Sequence, residues 1–314
     1  MTIKTAAVPP WGRPTGRERA MMRIIYLPTT DAGDLLDCLA EAVPLVRAFE
    51  AHLRVDFIRP DPRTSIPFVG EGLTADVIQD LVEAAEREGR ARADRALAVF
   101  RERLTAAGIA IEDGEPVHGR PSAAFTESVG LIPERVGRMA RVHDVSIVPR
   151  PGADHRPEAD ELFNEALFRS GRPVLLAPPD SAGRRADQPD QPPYRHAVIG
   201  WNGRAEAARA VADALPLLQR AEAVDVVTVG DEHPERPGAE GLQRYLARHD
   251  VSARIVRLAG EHDVAEALLG HARDAGADLL VLGAYSHSRW REMIVGGVTR
   301  HMVHHSPIAL FMSH

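Results

Sequence analysis

The sequence predicts an α/β fold with two tandem, open and mostly parallel sheets, each flanked by helices. Short apolar runs that stop at Gly or Pro recur along the chain, as expected of buried parallel strands. Helical patterns of apolar residues lie between these runs, which is the order of βαβ units. The same order begins again after residue 194, so each half of the chain is expected to form one sheet.

The first half follows residues 1–20, which lack the apolar core of a signal peptide and are expected to be a flexible arm. Apolar runs bounded by turn residues predict its strands: 24–27, 53–58, 145–148 and 173–177. Apolar residues at helical spacing predict its helices: 35–46, 76–104 and 161–168. These elements place the first domain at residues 21–179.

The second half follows residues 180–194, where Pro, Asp and Gln without apolar periodicity predict an interdomain linker. Its predicted strands are 196–200, 224–229, 279–282 and 307–312. A helix is predicted over 206–218, and the second domain covers residues 195–314.

Fixed offsets between the halves indicate a tandem duplication. Asp144 corresponds to Asp278 at a shift of 134 residues, whereas Val55 corresponds to Val226 at a shift of 171. The difference of 37 residues falls between the second and fourth strands, where the first half has an additional loop and a long helix.

The composition excludes several classes of protein. With 44% hydrophobic and 26% charged residues and no stretch of membrane-spanning length, the chain is expected to be a globular cytoplasmic protein without a membrane partner. The net charge of −7 argues against a nucleic-acid partner. The single cysteine, Cys38, excludes an intrachain disulfide and falls in a helical apolar pattern.

Lysine usage limits the kinds of nucleotide site that are possible. The only lysine is Lys4, in the arm, and every other basic residue is Arg or His. A Walker P-loop needs a lysine at the phosphates, and Schiff-base chemistry needs a buried lysine. A nucleotide would therefore have to be held by backbone groups.

One stretch of the second half combines a strand, a loop and a glycine-led helix start. The apolar run 279–282 ends at Gly283, and Gly296 and Gly297 open a segment with helical spacing before Pro307. A helix N-terminus without side chains in the way presents unpaired N–H groups and a positive dipole end to a phosphate. The alternative is a tight turn followed by an ordinary helix cap, with Thr299 and water satisfying the amides.

This stretch resembles the nucleotide loop of the universal stress protein family, whose ATP-binding members carry G-x2-G-x9-G-[S/T]. Gly283 and Gly296 match the first and third positions. Ser286 stands at the second glycine, and Gly297 stands where Ser or Thr is usual. The resemblance implies a Rossmann-like fold of the universal stress protein type for both halves, with five-stranded sheets. It also implies that the fifth strands pair within the chain, as an intrachain pseudo-dimer.

The resemblance further implies an adenine-nucleotide site in the second half. Gly200, Trp201 and Asn202 end the first strand of that half, where the relatives usually have an aspartate at the position of Asn202. The other implied ligand residues lie at the adenine, ribose and phosphates: Val229, Leu282, Gly283, Tyr285, Ser286, Gly296, Gly297, Val298 and Thr299. The ligand would be ATP or another adenine nucleotide, with no metal beyond the Mg²⁺ that accompanies it.

The first half departs from this pattern and is expected to be a partner without a ligand. The shift of 134 places Leu162 and Phe163 at the positions of Gly296 and Gly297, where their side chains would fill the phosphate space. Glu165 would repel a phosphate.

The expected function is that of a cytoplasmic universal stress protein, a stress-response regulator with unknown protein partners. A nucleotide-free scaffold that acts through protein association and a slow ATPase using Glu292 or His287 are the alternatives. Three histidines at helical spacing could share a face and bind a metal, although dipole complementation explains them as well: His301, His304 and His305.

Overall fold

The computed structural model describes residues 21–62, 75–112, 119–151, 157–181, 193–260, 263–284 and 297–314. The predicted arm over residues 1–20 and most of the predicted linker over 180–194 lie outside the described residues. Within the described parts, no helix combines the length and the apolar character needed to cross a membrane.

The N-terminal half alternates strands and helices. Its strands are β1 (Ile24–Thr29), β2 (His52–Arg59), β3 (Ala110–Ile111), β4 (Ser122–Val129), β5 (Val145–Pro149) and β6 (Val174–Ala177). Its helices are α1 (Ala32–Phe49), α2 (Ala75–Ala106), α3 (Ile132–Ala140) and α4 (Pro157–Arg169).

The C-terminal half repeats this order with shorter elements. Its strands are β7 (His196–Gly200), β8 (Ala223–Val229), β9 (Arg254–Leu258), β10 (Leu279–Gly283) and β11 (Ala309–Ser313). Its helices are α5 (Ala205–Leu218), α6 (Ala239–Arg248), α7 (Val264–Asp274) and α8 (Gly297–His305). The additional length of the first half lies between β2 and β4, as predicted, where α2 has 32 residues and α6 has 10.

The strands form one sheet in the order β3-β4-β2-β1-β5-β6-β11-β10-β7-β8-β9. Neighbouring strands within each half are parallel, whereas β6 and β11 are antiparallel. The two predicted five-stranded sheets are therefore parts of one continuous sheet, because the last strand of each half pairs with the last strand of the other. The short strand β3 adds an outer edge that the sequence pattern did not indicate.

Helices cover both faces of this sheet in two layers that the halves share. One apolar core lies under α1, α2, α5 and α6, and the other lies under α3, α4, α7 and α8. Equivalent helices of the repeat, such as α1 and α5, are thus on the same face. The halves are consequently related by a pseudo-twofold axis perpendicular to the sheet.

The predicted pairing of the fifth strands is confirmed. Leu175 lies opposite Phe311 and Leu176 lies opposite Leu310 in the β6–β11 ladder. All four side chains are fully buried. Each half therefore covers the apolar edge that the other half would expose, which removes a surface prone to aggregation.

A buried carboxylate joins the halves at the ends of the predicted linker. Glu41 of α1 accepts hydrogen bonds from the Ser181 hydroxyl at 3.0 Å and from the Tyr194 hydroxyl at 2.7 Å. Ser181 and Tyr194 are also buried. Both ends of the connection are thus fixed to one side chain of the first half.

Candidate functional site

The candidate residues lie at the carboxyl ends of β7, β8 and β10. In this half, β7 pairs with β10 on one side and with β8 on the other, all in parallel. Gly200 lies opposite Leu282, and Val229 ends β8 beyond them. Ligands of open α/β sheets bind beyond this edge, so the fold brings these predicted residues to one place.

Gly283 lets the start of helix α5 approach the end of β10. A Cβ at Gly283 would lie 2.4 Å from the Ala207 nitrogen and 2.6 Å from the Glu206 carbonyl carbon. Helix α5 follows Arg204, whose side chain makes no capping hydrogen bond. The amide end of α5 therefore lies directly against the end of β10, and only glycine leaves room for it.

Gly200 has a packing role below this edge. A Cβ at Gly200 would lie 2.5 Å from Leu282 Cδ2 and 3.3 Å from Leu268 Cδ1. Leu282 is almost fully buried in the core under α7 and α8. Gly200 and Leu282 therefore pack against each other in the core just below the carboxyl edge of the sheet.

Trp201 holds a loop over the end of β7. Its indole Nε1 donates to the Pro237 carbonyl at 2.9 Å, and 9% of the residue is exposed. Gly203, at φ +69°, lies under the same loop, because a Cβ there would be 2.8 Å from the Pro237 oxygen. The indole N–H therefore anchors the loop after β8 through this hydrogen bond. Sequence reasoning missed Pro237, and the glycine after Trp201-Asn202 was the only signal of this close approach.

Asn202 shapes the turn into helix α5. Its side-chain Oδ1 accepts a hydrogen bond from the Arg204 backbone N–H at 3.0 Å, and the residue is exposed. The carbonyl half of the side chain is occupied by this contact. The NH₂ half remains as the group that can donate to a ligand.

The loop rim beside Val229 is also built from glycine. Val229 is partly exposed and packs on the second core. The next residue, Gly230, has φ +74°, and a Cβ at Gly260 would lie 2.9 Å from its Cα. The loops after β8 and β9 therefore meet backbone to backbone at this edge.

Helix α8 begins at Gly297. In the part of the chain that the structure describes, nothing lies within 4 Å of a Cβ built at Gly297. Val298 is exposed and Thr299 is partly exposed in the same first turn. Three of the predicted residues lie outside the described residues: Tyr285, Ser286 and Gly296.

The equivalent place in the first half is filled. Phe163, which corresponds to Gly297, lies inside α4 rather than at its start, and Leu162 beside it is fully buried. Helix α4 begins at Pro157, about 1.7 turns earlier in the repeat. A helix N-terminus of the α8 kind is therefore not present at this position in the first half.

The histidines of α8 make other contacts. The rings of His301 and His305 stack at 4.3 Å, and His301 Nε2 lies 2.7 Å from Glu266 Oε1. Burial lowers the pKa of His304, which faces Asp160 and Pro151 of the first half. Across the described residues, no cluster of three or more His, Cys, Asp or Glu is arranged to hold a metal.

Residues 193–314 match the sequence model of the Universal stress protein family. No curated protein sequence matches the chain. Among solved structures, a universal stress protein from Archaeoglobus fulgidus DSM 4304 is 13% identical with a TM-score of 0.60, and the match covers 92% of this chain and 97% of that chain. A functionally unknown protein from Pseudomonas aeruginosa PAO1 is 12% identical with a TM-score of 0.52, covering 93% and 92%.

At these identities the structural matches show the fold, and they extend over both halves of the chain. The family match covers the half that carries the candidate site. Residues 193–314 are therefore a universal stress protein domain, and the N-terminal half repeats its fold in the same chain.

Proposed function

We propose that the protein is a cytoplasmic stress-response regulator whose C-terminal half binds an adenine nucleotide, ATP in the first instance. The observation that carries this proposal is the start of α8 at Gly297, which no described residue obstructs, at the same edge of the sheet as the start of α5, where Arg204 makes no capping hydrogen bond. Because β10 and β11 are parallel, the helix between them begins at the carboxyl edge where α5 also begins.

Two helix N-termini at one edge favour an anion. Each has first-turn N–H groups without an intrahelical partner and about half a positive charge. Arg204 makes no capping hydrogen bond at the start of α5, and no described residue comes within 4 Å of a Cβ at Gly297. Backbone groups of this kind bind phosphates without a lysine, which suits a chain whose only lysine is Lys4. The phosphates would lie over Gly297, Val298 and Thr299, and Mg²⁺ would arrive with the nucleotide.

The base and ribose would lie on the other side of this edge. Val229 offers a partly exposed apolar surface at the end of β8, and Asn202 offers its NH₂ group. Trp201 contributes indirectly, because its hydrogen bond to Pro237 fixes the loop that bounds this side. The proposed roles of Tyr285, Ser286 and Gly296 rest on the motif alone.

Equilibrium binding of labelled ATP tests the proposal, with Gly297→Val as the variant. A valine side chain over the first amides should weaken ATP binding by at least roughly tenfold, or about 1.4 kcal/mol. The matched control is Gly270→Val in α7, where a Cβ also meets no described residue within 4 Å. Equal losses in both variants, or no ATP binding by the unaltered chain, would overturn the proposal. The second result would favour a nucleotide-free scaffold.

A further inference from the structure

Helix α2 extends well beyond the carboxyl edge of the first half. Arg92 Nη2 donates to the Thr30 carbonyl, just after β1, at 2.8 Å. A Cβ at Gly89 would lie 2.6 Å from Cδ of Arg59, the last residue of β2. The segment Ala75–Glu88, here named the α2 overhang, therefore lies past this edge and is about 20 Å long at 1.5 Å per residue.

The overhang carries an apolar stripe that no part of the described chain covers. Further along α2, residues spaced as one helix face enter the core: Ala93, Ala96, Phe100 and Leu104. Val82 continues that face and is buried. Val77 and Leu81 lie on another face, one turn apart, and are 42% and 46% exposed. Ala84 and Ala85 extend this second face and are exposed.

The stripe is bordered by carboxylates. The overhang contains five acidic residues and a single arginine, Arg87. Glu83 accepts from Gln79, and Glu86 pairs with Arg90 at 3.3 Å. The three other carboxylates have no hydrogen-bond or ion-pair partner among the described residues and adjoin the stripe at helical spacing: Asp76, Asp80 and Glu88.

We propose that the α2 overhang docks a cationic amphipathic helix of another protein. The apolar face of that helix would pack on Val77 and Leu81, and its Lys or Arg residues would reach Asp76, Asp80 and Glu88. A partner of this kind removes the exposed apolar side chains from water and neutralises the free carboxylates at the same time.

The charge of the overhang disfavours other occupants. A second copy of this chain would bring two acidic helices together, and like charges at close range oppose association. An anionic membrane surface or a nucleic acid would be repelled for the same reason. A neutral apolar partner would remove water from around the carboxylates without pairing them, and burying an unpaired charge is costly.

A fluorescently labelled synthetic helix with leucine on one face and lysine on the other tests the proposal by anisotropy titration with the full chain. A peptide of the same length with glutamate in place of lysine is the charge control. We expect the lysine peptide alone to bind, more weakly at high salt. Leu81→Asp should weaken binding of the lysine peptide by roughly tenfold, although it adds a negative charge. This result would distinguish apolar contact from non-specific electrostatic attraction.

The matched control is Val142→Asp, which adds the same charge at a residue that is 68% exposed and lies after α3, away from the overhang. It should leave peptide binding unchanged. The proposal is overturned if Leu81→Asp binds the lysine peptide as tightly as the unaltered chain does, or if Val142→Asp weakens peptide binding as much as Leu81→Asp. It is also overturned if neither peptide binds the unaltered chain. Binding that appears only after removal of residues 1–20 would also overturn it, because the basic arm would then be the occupant.

Discussion

Asp144 and Asp278 perform the same structural task in the two halves. Asp144 accepts hydrogen bonds from the backbone N–H groups of Arg23 and Ile24, at 2.6 and 2.9 Å. Asp278 accepts from Arg195 at 2.9 Å and from His196 at 3.0 Å. Each carboxylate therefore joins the start of the fourth main strand of its half to the start of the first.

Replacing either aspartate by alanine should destabilise the fold to a similar extent. Asp278→Ala and Asp144→Ala each leave two N–H groups at a strand start without their acceptor, at a cost of about 2 kcal/mol. Urea unfolding monitored by circular dichroism measures this loss. The control is Asp274→Ala at the exposed end of α7, expected to change stability by less than about 0.5 kcal/mol. A normal stability for Asp278→Ala would show that water replaces the carboxylate.

The glycine at the end of β10 should not tolerate a methyl group. Gly283→Ala places a Cβ against the backbone of Ala207 and should cost about 1–3 kcal/mol through overpacking. It should also displace the start of α5 and so weaken the binding of ATP. Gly270→Ala, in an open helical position, should instead stabilise the protein by about 0.5–1 kcal/mol. Thermal unfolding distinguishes the two variants, and equal changes in their unfolding temperatures would contradict the close approach of α5.

Stability should fall as the pH is lowered through the range where histidines ordinarily titrate. Burial lowers the pKa of His143 below its ordinary value of 6.5, and repulsion from Arg54 adds to the effect. Burial likewise lowers the pKa of His52. The unfolded chain therefore binds protons at a pH where the folded chain does not, so stability is complete above about pH 6.5 and is lost below it.

Urea midpoints measured between about pH 8 and pH 5 give this slope directly. His143→Gln keeps a polar side chain near Tyr26 and should flatten the acid side of the profile. Because other groups also titrate, the comparison is made between the slopes of the variant and the unaltered chain. An unchanged slope would show that His143 does not contribute to it.

The clamp at the ends of the linker should contribute measurably to stability. Tyr194→Phe removes one hydroxyl donor from Glu41 and should cost about 1–2 kcal/mol, since Glu41 is buried. A double-mutant cycle with Glu41→Gln isolates the pair, and its coupling should exceed about 0.5 kcal/mol. Additive effects of the two changes would show that the hydroxyl and the carboxylate act independently.

The central strands could be predicted because helices cover both of their faces. β1, β7 and β10 are nearly continuous apolar runs, and buried parallel strands have no polar face to interrupt them. The outer strands β4 and β9 were missed. Their sequences, SAAFTESV and RIVRL, mix charged and apolar residues because these strands lie at the margins of the sheet and are partly exposed.

Most contacts between distant segments could not be predicted. No local pattern connects Trp201 with Pro237, since their hydrogen bond depends on how the loop after β8 folds back. The close approach at Gly283 likewise required the position of α5, although the motif had singled out the glycine for a ligand. The pairing of β6 with β11 is the exception, because the family resemblance implied it and both strands are apolar enough to need a cover.

The antiparallel junction of β6 and β11 places the two proposed sites at opposite ends of the molecule. The strands of the two halves run in opposite directions, so their carboxyl edges face away from each other. The α2 overhang therefore projects from one pole, and the starts of α5 and α8 lie at the other. A docked protein and a bound nucleotide would not compete for space. Any influence of one on the other would have to travel through the shared sheet, as strain or as a change in rigidity, rather than by direct contact.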